Sequence, residues 1–405
     1  MTATLLTSVL LLRLPQQALF AAALLSGAAV CAQVQPPTLP HRIPQAPPGL
    51  PLTEFYDTPE PLPLGKPGEL IRSEPFYDYR LSYEVSALRI LYHSRSPSGK
   101  DVASSGVILF PEGAPPVGGW PVIAWAHDFT GSARTCAPSL LKNLKDGPLL
   151  SMYTGLGYAV VASDYAGLGT RFPHAALDAR SNALDVIYSV SAARAALPQL
   201  GSKWVVLGYA QGAFVAAAVA EAESDIVDRD YLGAIAISGV ADPQEFFERL
   251  ARGSSYPLLV FLAQGTNTVF PEFQLDEMLT DKAMRLYEYV GHACDARSGP
   301  VPPANDMLKP NWQNNSYLKK FFARNAPVQR PASGPILLIS GDSDPDVPSS
   351  LTAKIMTRLC DQKDRVLFVK YPGIAGSAVL GNSVSEQVSW IRARFSGLPP
   401  PGNCP

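Results

Sequence analysis

Short apolar runs separated by amphipathic segments dominate the chain. Two early segments, residues 79–92 and 102–110, alternate apolar and polar positions, which is typical of strands with one buried face. Later runs are apolar at nearly every position, which is typical of strands in a parallel sheet that is covered on both faces. These runs are residues 121–126, 158–163, 204–207, 232–237, 335–340 and 366–370.

Helical spacing fills the intervals between these runs. Apolar residues recur every three or four positions after Asp178, and residues 211–223 are rich in alanine. Two more helices are predicted over 349–360 and 384–396. The alternation of strands and helices after the early antiparallel strands predicts an α/β fold, with a mostly parallel sheet flanked by helices.

The alternation stops over residues 241–330. The helical patterns there are 243–252, 273–290 and 315–324, and a polar, proline-interrupted segment covers 296–314. We interpret this stretch as a mainly helical cap. It would be inserted between two parts of a sheet domain, residues 51–240 and 331–405.

Composition excludes some classes of function. The 405-residue chain carries 33 Lys and Arg against 35 Asp and Glu, so it has no strong field that would gather a nucleic acid. Hydrophobic residues make up 47% of the chain and charged residues 17%, which is enough apolar material for a large core. Composition therefore disfavours a nucleic-acid-binding protein and rules out disorder over the whole length.

The N-terminus has the features of a secretion signal. An apolar run over 18–29 is too short to span a bilayer and leads to Val30-Cys31-Ala32. We expect cleavage after Ala32, so residues 1–32 would be a signal peptide and 33–50 a proline-rich lead-in. The mature chain would be secreted or periplasmic, with no stable transmembrane span. A lipoprotein attached through Cys31 is the alternative.

Cleavage would leave four cysteines, Cys136, Cys294, Cys360 and Cys404. An even number in an exported chain favours two disulfides over four separate buried thiols, and the sequence allows three connectivities. No pair has the Cys-x-x-Cys spacing of a zinc or redox site. Neither a metal nor a cofactor is predicted.

A strand, a tight turn and a helix are predicted in succession over residues 204–222. The turn reads Gly208-Tyr209-Ala210-Gln211-Gly212. This is the form of a nucleophile elbow, G-x-S-x-G, in which the flanking glycines let strand and helix approach each other. The central residue is Ala210, which has no hydroxyl and cannot form an acyl-enzyme. A strand–helix turn with incidental glycines is the other interpretation of the pentapeptide alone.

Several motifs in order make the chain resemble the secretory lipase family of α/β-hydrolases, which includes fungal lipase A, over roughly residues 52–396. The motifs are Phe55-Tyr56, Ala126 to Gly131 with Cys136, Asp164 to Thr170 with His174, Gly341 to Pro348, and Tyr371-Pro372-Gly373. The resemblance implies an α/β-hydrolase fold with a cap, and a Ser–Asp–His triad that cleaves esters. It also implies disulfides between Cys136 and Cys294 and between Cys360 and Cys404.

The resemblance assigns two catalytic positions to residues that cannot perform the chemistry. The nucleophile position is Ala210 and the histidine position is Gly376, while the acid position, Asp344, is retained. The histidines are residues 41, 93, 127, 174 and 292, so none follows Asp344. Oxyanion stabilisation is assigned to Asp128 and the backbone of Gln211, and the elbow glycines are Gly208 and Gly212. A solvated loop carboxylate is the alternative for Asp344.

These substitutions predict an exported lipase-like pseudoenzyme that binds a lipid, an ester-like molecule or another apolar ligand without hydrolysing it. Natural loss is favoured over a laboratory exchange, because Ala213 and Phe214 also depart from the family's pattern. One alternative is an active triacylglycerol lipase or carboxylic ester hydrolase that uses unorthodox residues around Thr130, Ser377 or His127. The other is an envelope interaction protein. The sequence leaves the oligomeric state open.

Overall fold

The computed structural model of the protein describes residues 49–81, 85–226, 228–239, 241–253, 257–290, 294 and 303–405. Nine strands in this part of the chain form one sheet. They are β1 (Leu70–Pro75), β2 (Val85–Arg95), β3 (Asp101–Pro111), β4 (Trp120–Ala126), β5 (Ala159–Ser163), β6 (Leu200–Tyr209), β7 (Tyr231–Ile237), β8 (Ile336–Gly341) and β9 (Val366–Tyr371). The predicted signal peptide and residues 33–48 of the lead-in lie outside the described residues.

The sheet is antiparallel at one end and parallel over the rest. Its strand order is β1-β2-β3-β5-β4-β6-β7-β8-β9, and every pair from β5 onward in that order is parallel. Continuous apolar runs make this possible, because the sheet has a hydrophobic core on each face. In β4, Val122 and Ala124 enter one core, and Ile123 and Trp125 enter the other. The predicted mostly parallel sheet is confirmed.

Helices cover both faces of the sheet. They are α1 (Gly147–Gly155), α2 (Ala179–Ala196), α3 (Gln211–Ile226), α4 (Pro243–Arg252), α5 (Pro257–Val269), α6 (Asp281–Val290), α7 (Ala304–Met307), α8 (Ser316–Asn325), α9 (Ser349–Asp361), α10 (Ala378–Asn382) and α11 (Val384–Phe395). Helices α2, α3 and α9 pack on one face, and α1, α10 and α11 on the other. Within the described ranges, no helix has the length and apolar content needed to cross a bilayer.

Three elements in the first part of the chain, β1, β2 and α1, depart from the pattern-based prediction. Alternation predicts a strand over 79–92, whereas β2 runs from Val85 to Arg95. Tyr79 therefore lies outside the strand, and its hydroxyl lies 3.2 Å from Nε of the buried Arg89. The short edge strand β1 and helix α1 have no clear periodicity in the sequence and are not predicted by it. In both, tertiary packing rather than a periodic sequence pattern determines which residues are buried.

Helices α4 to α8 form a helical insertion between β7 and β8 with its own hydrophobic cluster. Helices α4 and α8 match the predicted patterns, but the single helix predicted over 273–290 is wrong. A short 3₁₀ turn covers Leu275–Glu277, Leu279 pairs with Leu308, and α6 begins only at Asp281. Helix α5 is not predicted, because Leu259 to Ala263 are all buried and give no amphipathic stripe.

Two disulfides connect distant parts of the chain. Cys136, in the loop after β4, is bonded to Cys294 in the helical insertion. Cys360, at the end of α9, is bonded to Cys404 in the C-terminal tail. The pairing implied by the family resemblance is confirmed. The first bond ties the insertion to the loop that holds Asp128.

Candidate active site

The predicted site residues all follow parallel strands, at the edge of the sheet where those strands end. Asp128 comes two residues after β4, Ala210 directly after β6, Asp344 three residues after β8, and Gly376 five residues after β9. Strand β6 pairs with both β4 and β7, and β8 pairs with β9. The carboxyl ends of parallel strands are where open α/β sheets bind ligands. The structure therefore places the four positions at the same edge of the sheet.

Ala210 occupies a strained backbone conformation between β6 and α3. Its φ is +51°, in the left-handed region that costs an L-residue roughly 1–2 kcal/mol. The glycines around it cannot be exchanged freely. A Cβ on Gly208 would lie 1.9 Å from the carbonyl oxygen of Gly212, and one on Gly212 would lie 1.8 Å from the carbonyl oxygen of Ala126. The turn thus has the sharp geometry of a nucleophile elbow, with a methyl group at its centre.

The Asp344 carboxylate is fixed by backbone N–H groups. Its Oδ1 accepts from the N–H groups of Asp346 at 2.9 Å and Val347 at 2.8 Å. Its Oδ2 accepts from the N–H of Gly376 at 2.8 Å. Three N–H donors orient the carboxylate, and no described side chain is among its hydrogen-bond partners. The acid position and the histidine position of the sequence analysis are therefore in direct contact.

Gly376 leaves space for a side chain. Its φ is +54°, and no described atom lies within 4 Å of a Cβ built on it. A histidine tolerates this region better than most residues do. Neighbouring bonds fix the loop, because Ser343 N–H donates to the carbonyl of Ile374 at 3.2 Å, and Gly373 N–H donates to the Asp342 carboxylate at 2.7 Å. A side chain at position 376 would extend beside Asp344.

The backbone N–H of Gln211 has a carboxylate as its partner. Asp128 Oδ1 lies 3.4 Å from Gln211 N, and Asp128 Oδ2 lies 3.4 Å from Lys145 Nζ. Lys145 Nζ also donates to the carbonyl of Phe129 at 2.7 Å. In an ester hydrolase, the N–H after the nucleophile points at the developing oxyanion. Here the partner of that N–H is an oxygen of the Asp128 carboxyl group.

Lys145 is a site residue that the sequence analysis missed. It and Leu144 both have positive φ, 63° and 51°, so the chain turns sharply just before α1 and directs Lys145 toward Asp128. Neither residue is a glycine or an asparagine, so no local motif signals this turn. Next to it, burial raises the pKa of Asp146 to about 6, although Lys145 opposes the shift.

His127 and His174 are structural residues in this geometry. The Nδ1 of His127 lies 2.7 Å from the carbonyl oxygen of Asp128, and its Nε2 lies 3.2 Å from that of Asp164. Both ring nitrogens therefore face main-chain oxygens rather than a nucleophile. Nδ1 of His174 lies 2.9 Å from the carbonyl of Ala166. Burial lowers the pKa of each imidazole to about 4, so both are neutral at pH 7.

The remaining groups named by the sequence do not form a nucleophile–base pair. Ser377 is exposed at the start of α10. The Thr130 hydroxyl is buried and has no hydrogen-bond partner among the described residues. No group of three or more His, Cys, Asp or Glu side chains in the described ranges could hold a metal ion.

A cleft of about 310 Å³ lies elsewhere, between α2, α3 and residues 324–330. Its lining includes none of the four predicted catalytic and oxyanion side-chain positions. Its charged groups are already paired, because Glu221 lies 3.2 Å from Arg330 Nε and 3.5 Å from Arg180 Nη2. The cleft therefore holds none of these four positions, and its paired Glu221 is engaged within the protein.

Comparison with known proteins gives one family and one fold. The secretory lipase family model matches residues 146–403. The structure of Candida antarctica lipase A in its closed state is similar, with 17% identity and a TM-score of 0.73 over 87% of this chain and 89% of that chain. A rice cell wall degrading esterase, LipA from Xanthomonas oryzae, has 20% identity and a TM-score of 0.68 over 82% of this chain and 98% of that chain. No curated protein sequence matches the chain. The predicted α/β-hydrolase fold is confirmed.

Proposed function

The chain belongs to the secretory lipase family, and from this premise we propose that it is an exported lipase-like protein that binds a lipid or another apolar ligand without hydrolysing an ester. Ala210 stands at the nucleophile position, Asp344 at the acid position and Gly376 at the histidine position. Asp128 and Gln211 stand at the oxyanion position, with Gly208 and Gly212 as the elbow glycines. Export through residues 1–32 is part of the proposal, and the two disulfides support it.

One observation carries this proposal. The elbow retains its strained turn at φ +51°, but the residue in that turn is an alanine. An alanine has no atom that can attack a carbonyl, and Asp344 has a backbone N–H where a triad would supply an imidazole. Removing a triad in a well-studied hydrolase lowers kcat about 10⁶-fold, and what remains is binding and oxyanion stabilisation. The scaffold can thus keep a ligand site after the chemistry is lost.

The helical insertion supports a cap role for residues 241–330, between core segments 51–240 and 331–405. Phe261 of α5 packs on Phe129, two residues beyond His127, with ring centroids 4.6 Å apart. Thr268 Oγ1 donates to the carbonyl of His174 at 3.3 Å. The Cys136–Cys294 bond ties the same loop to the insertion. A cap in this position would cover the elbow edge of the sheet and shield an apolar ligand.

The test restores the missing side chains. Ala210→Ser and Gly376→His are introduced singly and together, with and without Asp128→Asn, because Asp128 contacts the Gln211 N–H and its role at the oxyanion position is part of the test. Hydrolysis of p-nitrophenyl butyrate and palmitate is measured. We expect the unchanged chain to be inert, and the double substitution to exceed either single one in at least one background. Adding Asp344→Asn to the active form is the matched control, with an expected loss of about 10⁴-fold in kcat.

Two outcomes would contradict the proposal. If the unchanged chain hydrolyses either ester as fast as the double variant, it is an active ester hydrolase with unorthodox residues. If no apolar ligand binds the purified, delipidated chain, the binding function fails, and an interaction role in the envelope becomes the better hypothesis.

A further inference from the structure

The two edges of the sheet are protected in different ways. Strand β1, at one end, carries Pro75 and a register shift between Leu70 and Arg72, and both features oppose pairing with a further strand. Strand β9, at the other end, contains no proline, and its register with β8 is continuous. Its aromatic and β-branched residues favour strand pairing. The β9 edge therefore needs another form of protection.

Alternate residues of β9 direct their main-chain groups away from the sheet. The carbonyl oxygens of Arg365 and Tyr371 accept hydrogen bonds from N–H groups at the start of β8 and just after its end, at 2.9 and 3.2 Å. Main-chain groups alternate in direction along a strand, so those of Val366, Phe368 and Lys370 face outward. These three residues form the edge that a further strand would use.

Asn403 in the C-terminal tail covers most of this edge. Its backbone N–H donates to the carbonyl of Val366 at 3.0 Å. Its Oδ1 accepts from the N–H of Phe368 at 2.8 Å, and its Nδ2 donates to the carbonyl of Phe368 at 2.9 Å. One asparagine thus takes the place of a paired strand at two outward residues. Lys370, the third, is exposed, and a lysine is a common deterrent to pairing at sheet edges.

A disulfide holds the tail against the edge. Cys404, next to Asn403, is bonded to Cys360 at the end of α9. Each hydrogen bond near the surface contributes little net stability, because water can replace either partner. The covalent link compensates for this by keeping the asparagine at a high local concentration beside β9. Cys404 is exposed and Cys360 is partly exposed, so a soluble thiol has access to the bond.

We propose that the tail is a redox-released cover and that, without its disulfide, the β9 edge binds a second copy of this chain. A dithiol reductant transfers two electrons and two protons to the Cys360–Cys404 bond. Two protein thiols form, and the reductant becomes a disulfide. The tail then leaves the edge more often and exposes it. This inference does not depend on which ligand the protein binds.

The β9 edge is complementary to itself. In an antiparallel pair around a twofold axis at Phe368, this residue faces Phe368 of the second copy, and Lys370 faces Val366. The outward main-chain groups of one copy therefore meet those of the other. Lysines do not lie opposite each other, and a cross-strand pair of aromatic rings is favourable. Because Pro75 blunts the β1 edge, the assembly stops at a dimer.

Sedimentation velocity of the full chain, with and without dithiothreitol, tests the proposal. We expect a monomer in the oxidised chain, and on reduction a dimer whose Kd is about tenfold lower than that of the oxidised chain. Cys360→Ser with Cys404→Ser should give the same shift without a reductant. The matched control, Cys136→Ser with Cys294→Ser, removes the other disulfide and leaves the tail linked, so it should remain a monomer in oxidising buffer.

Two further variants localise the dimer to β9. Asn403→Ala in the reduced chain removes the side-chain bonds of the cover and should strengthen the dimer further. Lys370→Pro removes an outward N–H and none of the groups that face β8, so it should abolish the dimer, with circular dichroism as the check that the variant is folded. Amide hydrogen exchange of the unchanged chain adds a readout that needs no variant. The Lys370 N–H should become protected when the dimer forms.

The outcomes are distinct. A monomer in every reduced form would overturn the inference, and so would dimer formation by the Cys136 and Cys294 control in oxidising buffer. A dimer that survives Lys370→Pro in a folded chain, or that leaves the Lys370 amide unprotected, would also overturn it. Aggregates larger than a dimer would do the same, because they need a second surface. Binding of an apolar ligand is measured separately, so the proposed function is unaffected by any of these results.

Discussion

Two carboxylates stand on either side of the elbow, and they are held in different ways. Asp344 accepts three backbone N–H groups at 2.8 to 2.9 Å. Asp128 meets one backbone N–H at 3.4 Å and depends on an ion pair with Lys145, also at 3.4 Å. The acid side is fixed by main-chain geometry, whereas the oxyanion side is fixed by two side chains that single substitutions can change.

Under the proposed function, this difference explains how the acid side can keep its geometry without a histidine. The donors to Asp344 are main-chain N–H groups, that of Gly376 among them, so they do not depend on which side chain position 376 carries. On the oxyanion side, the partner of Gln211 N–H is the side chain of Asp128, which also contacts Lys145. The geometry of this side therefore depends on side-chain identity, and that of the Asp344 carboxylate does not.

The largest expected effect is at Gly212, which joins the elbow to the oxyanion loop. In Gly212→Ala, the new Cβ would lie 1.8 Å from the carbonyl oxygen of Ala126 and 3.1 Å from that of His127, so strand β4 or helix α3 has to shift. We expect a loss of more than about 4 kcal/mol in the free energy of unfolding, or no folded protein. Chemical denaturation followed by circular dichroism measures this loss.

Gly381→Ala is the matched control for that exchange. No described atom lies within 4 Å of a Cβ at Gly381, which sits in the short helix α10. Its stability should stay within about 0.5 kcal/mol of the unchanged chain. A loss at Gly212 as small as that at Gly381 would mean that β4 and α3 can move apart at the elbow. The close packing of Gly212 against the carbonyl oxygen of Ala126 would then not fix the positions of Asp128 and Ala210 relative to each other.

The second prediction concerns pH and the oxyanion side. Burial raises the pKa of Asp146 to about 6 from an ordinary value of 3.8, so between these values the folded chain holds a proton that the unfolded chain releases. The contribution of Asp146 to stability therefore falls as pH rises from about 4 to about 6, and the penalty is complete above that. Asp146→Asn resembles the neutral acid and does not titrate.

Asp146→Asn should accordingly gain stability relative to the unchanged chain as pH rises, by about 2.5 kcal/mol between pH 4 and pH 8. Urea denaturation of both proteins at several pH values provides the measurement. A stability difference that does not change with pH would show that Asp146 is well solvated.

Much of the fold could be predicted from the sequence, because burial on both faces leaves continuous apolar runs such as those of β4 and β6. Elements in which buried and exposed positions do not alternate clearly could not be predicted. Helix α5 is buried on nearly all sides over its first half, and β1 is a partly exposed edge strand, so neither shows a clean period. The split of 273–290 depends on a contact between Leu279 and Leu308, which no local pattern encodes.

Within the candidate site, what could be predicted lies in local motifs. The elbow glycines, Ala210 and the Asp344 loop are each read from a few consecutive residues. The Asp128–Lys145 pair lies within the connection between β4 and α1, and it depends on left-handed backbone at Leu144 and Lys145 that the residue types do not favour. The contacts of Asp128 with Lys145 and with Gln211 N–H therefore emerge only in three dimensions.

The smallest expected effect is at Gly376, and it tests whether the acid side retains room for a histidine. In Gly376→Ala the new Cβ meets no described atom within 4 Å, so only the backbone strain at φ +54° remains, about 1 kcal/mol. Gly341→Ala, at the end of β8, places its Cβ 2.2 Å from the carbonyl oxygen of Ile374 and should lower the free energy of unfolding clearly more. Thermal and urea unfolding of both variants compare the two losses. Equal losses would mean that the loop after β9 has no room for a side chain at position 376. The Gly376→His substitution in the test of the proposed function would then not fit.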